Sequence, residues 1–407
     1  MQSSPARISA ILWTVNLSSI AASIFSYVYL SYFVYERTGQ VLYSELVLLA
    51  PLAIPVLLCL AINRLTGFSP PRQLLVVTNL AGAAVAVATY VLIEDYVFVA
   101  VIGALLIGFL DALQRVGRTV AVKNYFSAAD VKYAIPLTHT AQFIAGGLAG
   151  VGLSFYKDEV TPQMALTIVT AAFAIAMIAA LLLPRLPWTP AANPLEASAK
   201  AAGGAFGAIG RLLASLPALR YQFVAFVLFV SVFQGFFNVS RVALPTHQLN
   251  LSQAYVGYLQ IISAMSALAG ALLFVWLGKR NFVFGRAAVA TLSVVSLAAM
   301  VGSTSTRDVA TSYTMYLVYM FVWEILFFKY QSDVVNFTPT EHMPLVATFQ
   351  YAAVYLGMIV TAFIGGIITH YTNLTTAALA FTLAYGAVMI LHAPRTGQPL
   401  ASGKGAS

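Results

Sequence analysis

Charge is scarce in this sequence of 407 residues: only 8% are Asp, Glu, Lys or Arg, against about 25% in an ordinary globular chain. A soluble protein of this length needs a more polar shell, so a water-soluble fold is excluded. There is one cysteine, Cys59, which rules out an intramolecular disulfide. The chain has no Walker-type lysine loop, no Gly-x-Ser-x-Gly elbow, no His-Glu-x-x-His and no Cys-x-x-Cys. Direct ATP coupling, an esterase-type nucleophile and the common zinc sites lose their sequence support. The five histidines, His139, His247, His342, His370 and His392, form no ligand pair at helical spacing. No metal, no other cofactor and no catalytic residue is expected.

What the sequence has in abundance is apolar residues, 60% of the total, gathered in blocks about 20 residues long, enough to cross a bilayer core. Backbone groups in lipid must be satisfied within the segment, so each block reads as a helix. Helices are expected over 8–35, 42–63, 73–93, 97–125, 131–155 and 162–183, then over 217–244, 253–278, 284–302, 309–336, 342–369 and 372–391. The first block is too long for a signal peptide and reads as a retained helix. Between the sets, Pro184, Pro187, Pro190 and Pro194 break the chain, and 205–213 reads as a short interfacial helix. The expected organisation is a six-helix bundle over 1–183, a linker over 184–216 and a second six-helix bundle over 217–407.

With the N-terminus inside, the outer side receives only Arg37, Lys157, Arg241 and Arg307. Every other lysine and arginine falls on the inner side or at inner helix ends, which places both termini and the linker in the cytoplasm. Topology therefore explains the net charge of +8, and no nucleic-acid partner is expected. The two sets also look duplicated. Phe126-Ser127-Ala128-Ala129-Asp130 precedes the fifth helix and Phe337-Thr338-Pro339-Thr340-Glu341 the eleventh, 211 positions later. Ser127 with Asp130, and Thr338 with Glu341, have capping-box spacing.

With this six-plus-six layout, basic segments after helices two and eight and a long linker, the sequence resembles the major facilitator superfamily over nearly its whole length. The family's loop after helix two matches Arg64 and Gly67, with Arg72 further along, while Asn63 replaces the usual acid. Gln142-Phe143-Ile144-Ala145-Gly146-Gly147-Leu148-Ala149-Gly150-Val151-Gly152 is similar to the glycine-rich antiporter motif of exporters, with Gly147 where proline is usual. Leu244-Pro245 through Val256-Gly257-Tyr258 is similar to the drug–proton antiporter branch that includes macrolide and siderophore exporters. The resemblance implies an all-α membrane fold of twelve spans in two pseudo-symmetric bundles. It also implies that helices one, four, seven and ten line a central cavity, and it supports gating roles for Arg64, Arg72, Arg280 and Arg118.

The residues themselves point to the membrane interior. Asp111, Arg115 and Arg118 lie at spacings of four and three on helix four, hence on one face. Asp111 is about 21 Å along that helix from its outer start, near mid-membrane. A charge there costs at least about 2.5 kcal/mol on insertion scales, so it should face protein and pair with Arg115. The pair reads either as a proton-coupling switch or as a permanent bridge that fixes packing. Glu324 on helix ten has no basic residue within a turn, since Lys329 lies well round the helix. In a low dielectric such an acid spends part of its time protonated, so Asp111 and Glu324 are the proton-coupling candidates. Substrate-binding candidates are Arg115, Asn16, the helix-seven stripe Gln234, Asn238 and Arg241, and Gln350, Tyr351 and Tyr355 on helix eleven; interhelical hydrogen bonding is the plainer role for any one of them.

The expectation is a monomeric secondary transporter in a bacterial inner membrane, with a small-molecule substrate, protons and the lipid bilayer as partners. Proton-coupled efflux of a polar, amphipathic or siderophore-like molecule leads. A proton-coupled importer is the alternative within this class, and a membrane-embedded transferase the alternative outside it.

Overall fold

The computed structural model describes residues 4–156, 160–185, 204–251, 254–280 and 282–392. Helices α1 (Pro5–Thr38), α2 (Val41–Leu57), α3 (Cys59–Phe68), α4 (Pro71–Leu92), α5 (Phe98–Tyr125), α6 (Ala128–Tyr156) and α7 (Pro162–Leu181) form the first set. After α8 (Gly204–Ser215) come α9 (Pro217–Ala243), α10 (Ala254–Lys279), α11 (Arg286–Ser305), α12 (Val309–Phe337), α13 (Met343–Tyr371) and α14 (Leu374–His392). Among the described residues, nine helices are each long and apolar enough to cross a membrane, and the bent pair of α2 and α3 makes a tenth span. With α6 and the shorter apolar α14 the chain has two sets of six spans.

Local signals set most helix ends. Ser4 caps α1 by accepting from the Arg7 N–H, and Pro5 occupies its first turn, where a missing N–H costs nothing. Gly39, at φ 65°, closes α1 in the left-handed conformation that glycine tolerates best. Asp308 caps α12 through the Thr311 N–H at 2.8 Å. Half of the expected box before α6 forms: the Ser127 hydroxyl accepts from the Asp130 N–H at 3.3 Å and donates to Asp130 Oδ2 at 2.7 Å, while the return bond from the Ser127 N–H is not made. Its expected counterpart does not. The Thr338 hydroxyl donates back to Val334 O at 2.6 Å, closing α12, and a separate turn over Thr340–His342 precedes α13. Pro187, Pro190 and Pro194 lie outside the described residues.

The single helix expected over 42–63 is corrected as well. The chain bends by 66° between α2 and α3. Pro51 and Pro55 both lie inside α2, and each removes an N–H that would have bonded the preceding turn. Helix then continues to Phe68, so Asn63, Arg64 and Gly67 sit on α3 rather than in a loop.

Three apolar clusters organise the packing. One belongs to the first half, around Tyr29, Phe33, Tyr90 and Phe173. Another belongs to the second half apart from Cys59, around Phe229, Phe233, Phe236 and Tyr319. The third joins the halves: Leu12, Val120, Phe126 and Val131 pack with Phe274, Phe328, Val335 and Met343. These residues come from the start of α1, the end of α5, the start of α6, the ends of α10 and α12 and the start of α13. All of them lie towards the end of the bundle that carries the linker, so the two halves close there. Across the divide α6 packs on α10, and α13 on α2, α3 and α5.

Lipid tails are as apolar as leucine, so close packing rather than water exclusion holds such spans together. Gly108 shows how tight this is: a Cβ there would lie 2.8 Å from Pro51 Cβ and 3.0 Å from Pro51 Cα. The proline ring cannot yield. Gly108→Ala is expected to destabilise the detergent-solubilised protein by about 1–3 kcal/mol, read as a lowered unfolding temperature. Gly147→Ala, with nothing within 4 Å of the new atom, should leave that temperature unchanged or raise it.

Candidate functional site

Helical geometry brings Asp111, Arg115 and Arg118 to one face of α5, and that face turns into the protein. Asp111 is 9% exposed and Arg118 7%. Arg115 Nε donates to Asp111 Oδ2 at 2.8 Å. One turn further on, Arg118 Nη1 donates to the Ser19 hydroxyl of α1 at 3.2 Å. The second guanidinium therefore has a neutral hydrogen-bond partner and no ion pair of its own. Asp111 Oδ1 is buried without a hydrogen bond.

Beside these charges lies a narrow crevice of about 30 Å³, lined by residues of both halves. Asn16 comes from α1, Arg115, Arg118 and Thr119 from α5, Thr138, His139 and Gln142 from α6, Gln331 from α12 and Tyr351 from α13. The Asn16 amide donates to Thr138 O at 2.5 Å, while its own carbonyl oxygen is unpartnered. Thr119 and the Tyr351 hydroxyl are 3.3 Å apart, a hydrogen bond across the halves. His139 Nδ1 donates to Ile135 O at 2.9 Å, and its ring meets Phe327 and Phe328 edge-on. Two guanidinium groups line the crevice with amide, hydroxyl and imidazole groups, while Asp111 pairs with Arg115 without lining the crevice itself. Such a lining can donate hydrogen bonds to a polar or anionic group.

The other candidates divide. Tyr355 is half-buried and within electrostatic reach of Asp111, Arg115 and Arg118, and Tyr27 within reach of Asp111 and Arg115. Gln350 is buried and donates to Gln331 Oε1 at 2.6 Å, so it acts on the crevice through its neighbour. Gln234 and Asn238 are half-buried and Arg241 is exposed on α9; none of the three lines this crevice. Glu324 is 1% exposed but does not line the crevice either. It packs against α10, where a Cβ on Gly270 would lie 3.0 Å from Glu324 Cβ, and its Oε2 has no hydrogen-bond partner. Lys329 is engaged elsewhere, 2.7 Å from Asp333.

The expected gating arginines are differently placed. Arg64 is exposed on α3. Arg72 donates to Leu181 O at 2.8 Å, tying α4 to the end of α7 inside the first half. Arg280 stacks over Trp276 at 4.4 Å. Arg118 sits at the crevice rather than at the rim. Among the described residues no ion pair joins the halves. The polar latch at the closed end is a residue not singled out from the sequence: Lys123 Nζ donates to Val335 O at 2.8 Å and Asn336 O at 3.4 Å, capping the end of α12. Thr119 and Gln331 were also missed, although each lies at helical spacing from a charged neighbour, Arg115 and Glu324. Among the described residues no group of three His, Cys, Asp or Glu could hold a metal.

Breaking one side of a buried ion pair costs about 3–5 kcal/mol, because the survivor is left uncompensated. Asp111→Asn and Arg115→Gln are each expected to lower the unfolding temperature in detergent. The double variant should recover much of the loss. Additive losses would show that the two groups do not act as a pair.

No protein-family model and no curated protein sequence matches the chain. Solved structures do. The human organic anion transporter MFSD10 (TETRAN) aligns with a TM-score of 0.76 at 13% identity, over 96% of this chain and 100% of its own. The E. coli fucose:proton symporter FucP aligns with a TM-score of 0.71 at 15% identity, over 96% and 98%. A bacterial homologue of the iron transporter ferroportin, in its outward-facing state, aligns with a TM-score of 0.70 at 10% identity, over 95% and 100%. At such identities the likeness is one of fold. The two sets of six spans around a central crevice are the major facilitator fold, and this chain is a multi-pass membrane protein that adopts it.

Proposed function

We propose that the chain is a secondary active transporter that moves a small organic anion across a bacterial inner membrane, coupled to protons, by alternating access. One observation carries this reading: a narrow crevice between the halves is lined by two guanidinium groups, only one of which has a carboxylate, Asp111, paired to it. An anionic cargo completes that balance, and guanidinium forks suit carboxylates. Two of the structural neighbours, an organic anion transporter and a fucose:proton symporter, agree with it.

Asp111 supplies the coupling logic. When it takes a proton, Arg115 loses its intramolecular partner and is free for the cargo, with Arg118 alongside and Asn16 and Tyr351 on the walls. Tyr355 stands one turn beyond Tyr351, and Gln350 steadies Gln331. Proton and anion then bind together, which favours transport of both in the same direction. Glu324, enclosed between α12 and α10 with no cation in reach, is the second proton site, loaded when movement of the halves admits water. Gln234, Asn238 and Arg241, at helical spacing on α9, are proposed to meet the cargo on its way in from the outer side. With the linker in the cytoplasm, the closed end is the inner one and the structure is outward-facing. Arg64, Arg72 and Arg280 belong to the inner surface that must part for release, and the working unit is a monomer.

A second reading has its own support. The glycine-rich stretch 142–152 on α6 resembles that of exporters, which favours efflux in exchange for protons, siderophore-like carboxylates included.

Proteoliposomes distinguish the two. Under an inward proton gradient, co-transport predicts accumulation of carboxylate-bearing compounds, whereas exchange predicts their expulsion. Asp111→Asn and Glu324→Gln should abolish the pH-driven component, and Arg118→Gln should raise KM about tenfold or more for loss of one charge-assisted bond. Unchanged proton-coupled flux in both acid variants would defeat the coupling roles.

A further inference from the structure

A second cavity, of about 350 Å³, opens at the linker end of the first half, between the start of α4, the end of α5 and the segment after α7. Arg72, Gln73, Asn124, Tyr125 and Arg185 line it, and among the described residues no acidic one does. Arg72 spends one terminal nitrogen on Leu181 O, while its Nε is buried without a partner. Arg185 is exposed, and neither arginine forms an ion pair with a described residue. The Tyr125 hydroxyl donates to Pro184 O at 2.9 Å, which fixes the strand of chain that presents Arg185. Two guanidinium groups thus share one cavity with no countercharge among the described residues. The start of α4 adds the N–H groups of Arg72 and Gln73, which have no intrahelical acceptor.

The surroundings identify the kind of anion. Gln73 heads an exposed stripe on α4 that continues through Val77, Leu80, Val87 and Val91 at helical spacing. On α7 a matching exposed stripe runs through Ile175, Ile178 and Leu182 and ends three residues before Arg185. Both are the lipid-facing sides of packed spans, and both lead to this cavity. A ligand seated there has a charged end among guanidinium groups and an apolar flank against acyl-chain height.

We propose that this cavity holds the phosphate headgroup of an anionic phospholipid from the linker-side leaflet, with its acyl chains along the α4 and α7 stripes. Basic pockets between spans on the cytoplasmic side suit such headgroups, and the fork of arginine suits phosphate oxygens. The headgroup pins the start of the linker to the first half through Arg185. The site is separate from the central crevice and independent of the transported substrate.

The test is native mass spectrometry on the full-length protein, delipidated in detergent and titrated with phosphatidylglycerol, phosphatidylcholine or inorganic phosphate. The wild type is expected to retain phosphatidylglycerol, but not phosphatidylcholine, at low stoichiometry. Arg185→Gln should weaken retention about fivefold and the pair with Arg72→Gln further, at about fivefold per arginine. Arg220→Gln, an exposed arginine of the second half, should have no effect. Since Arg72 also ties α4 to α7, the Arg185→Gln result stands alone if the double variant unfolds. Equal retention by wild type and Arg185→Gln would overturn the proposal. So would inorganic phosphate displacing the lipid at matched concentration, which would make this a site for a free anion.

Discussion

Ions do not sit in hydrocarbon unless protein surrounds them, and the architecture of this chain follows from obeying that rule at Asp111, Arg115 and Arg118. A single charge at the bilayer centre costs about 2.5–3.5 kcal/mol on insertion scales. Three on one face of α5 would be prohibitive if that face met lipid. It meets α1, α6 and α13 instead: Ser19 accepts from Arg118, Arg115 closes on Asp111, and Tyr351 reaches Thr119 from the opposite half. The same contacts that shield the charges border the crevice.

The proposed alternation requires those contacts to be remade, and the rest of the packing bears on it. At the linker end the halves share one apolar cluster and a latch in which Lys123 caps the carbonyl end of α12, where a cation is favoured by the helix dipole. Away from that end each half has a cluster of its own. Packed interfaces of this kind are bistable rather than continuously deformable. A latch of one ammonium on two carbonyls is weak enough to part.

How much of this was legible in the sequence depended on how local each feature is. Span positions were legible because they follow from runs of apolar residues, and the Asp111–Arg115 pair because its partners are one turn apart. The bend after α2 was hidden by hydropathy, which scores Pro51 and Pro55 as merely apolar and ignores the missing N–H groups. Thr338 and Glu341 have the spacing of a cap, yet the Thr338 hydroxyl found the nearer Val334 carbonyl. The direction in which Glu324 points depended on close approach of α10 at Gly270, a contact 54 positions away along the chain. Lys123 was invisible for a different reason: its partners are backbone carbonyls, which carry no residue signature.

The central claim is that the halves rock about the charged crevice, opening one end as the other closes. Distances between spin labels test it, in a Cys59→Ser background with one pair at Arg64 and Arg286 and another at Tyr35 and Val242, all exposed. Acidification with a transported anion is expected to lengthen the first distance and shorten the second in the same fraction of molecules. Two distances that stay fixed, or that grow together, would contradict it.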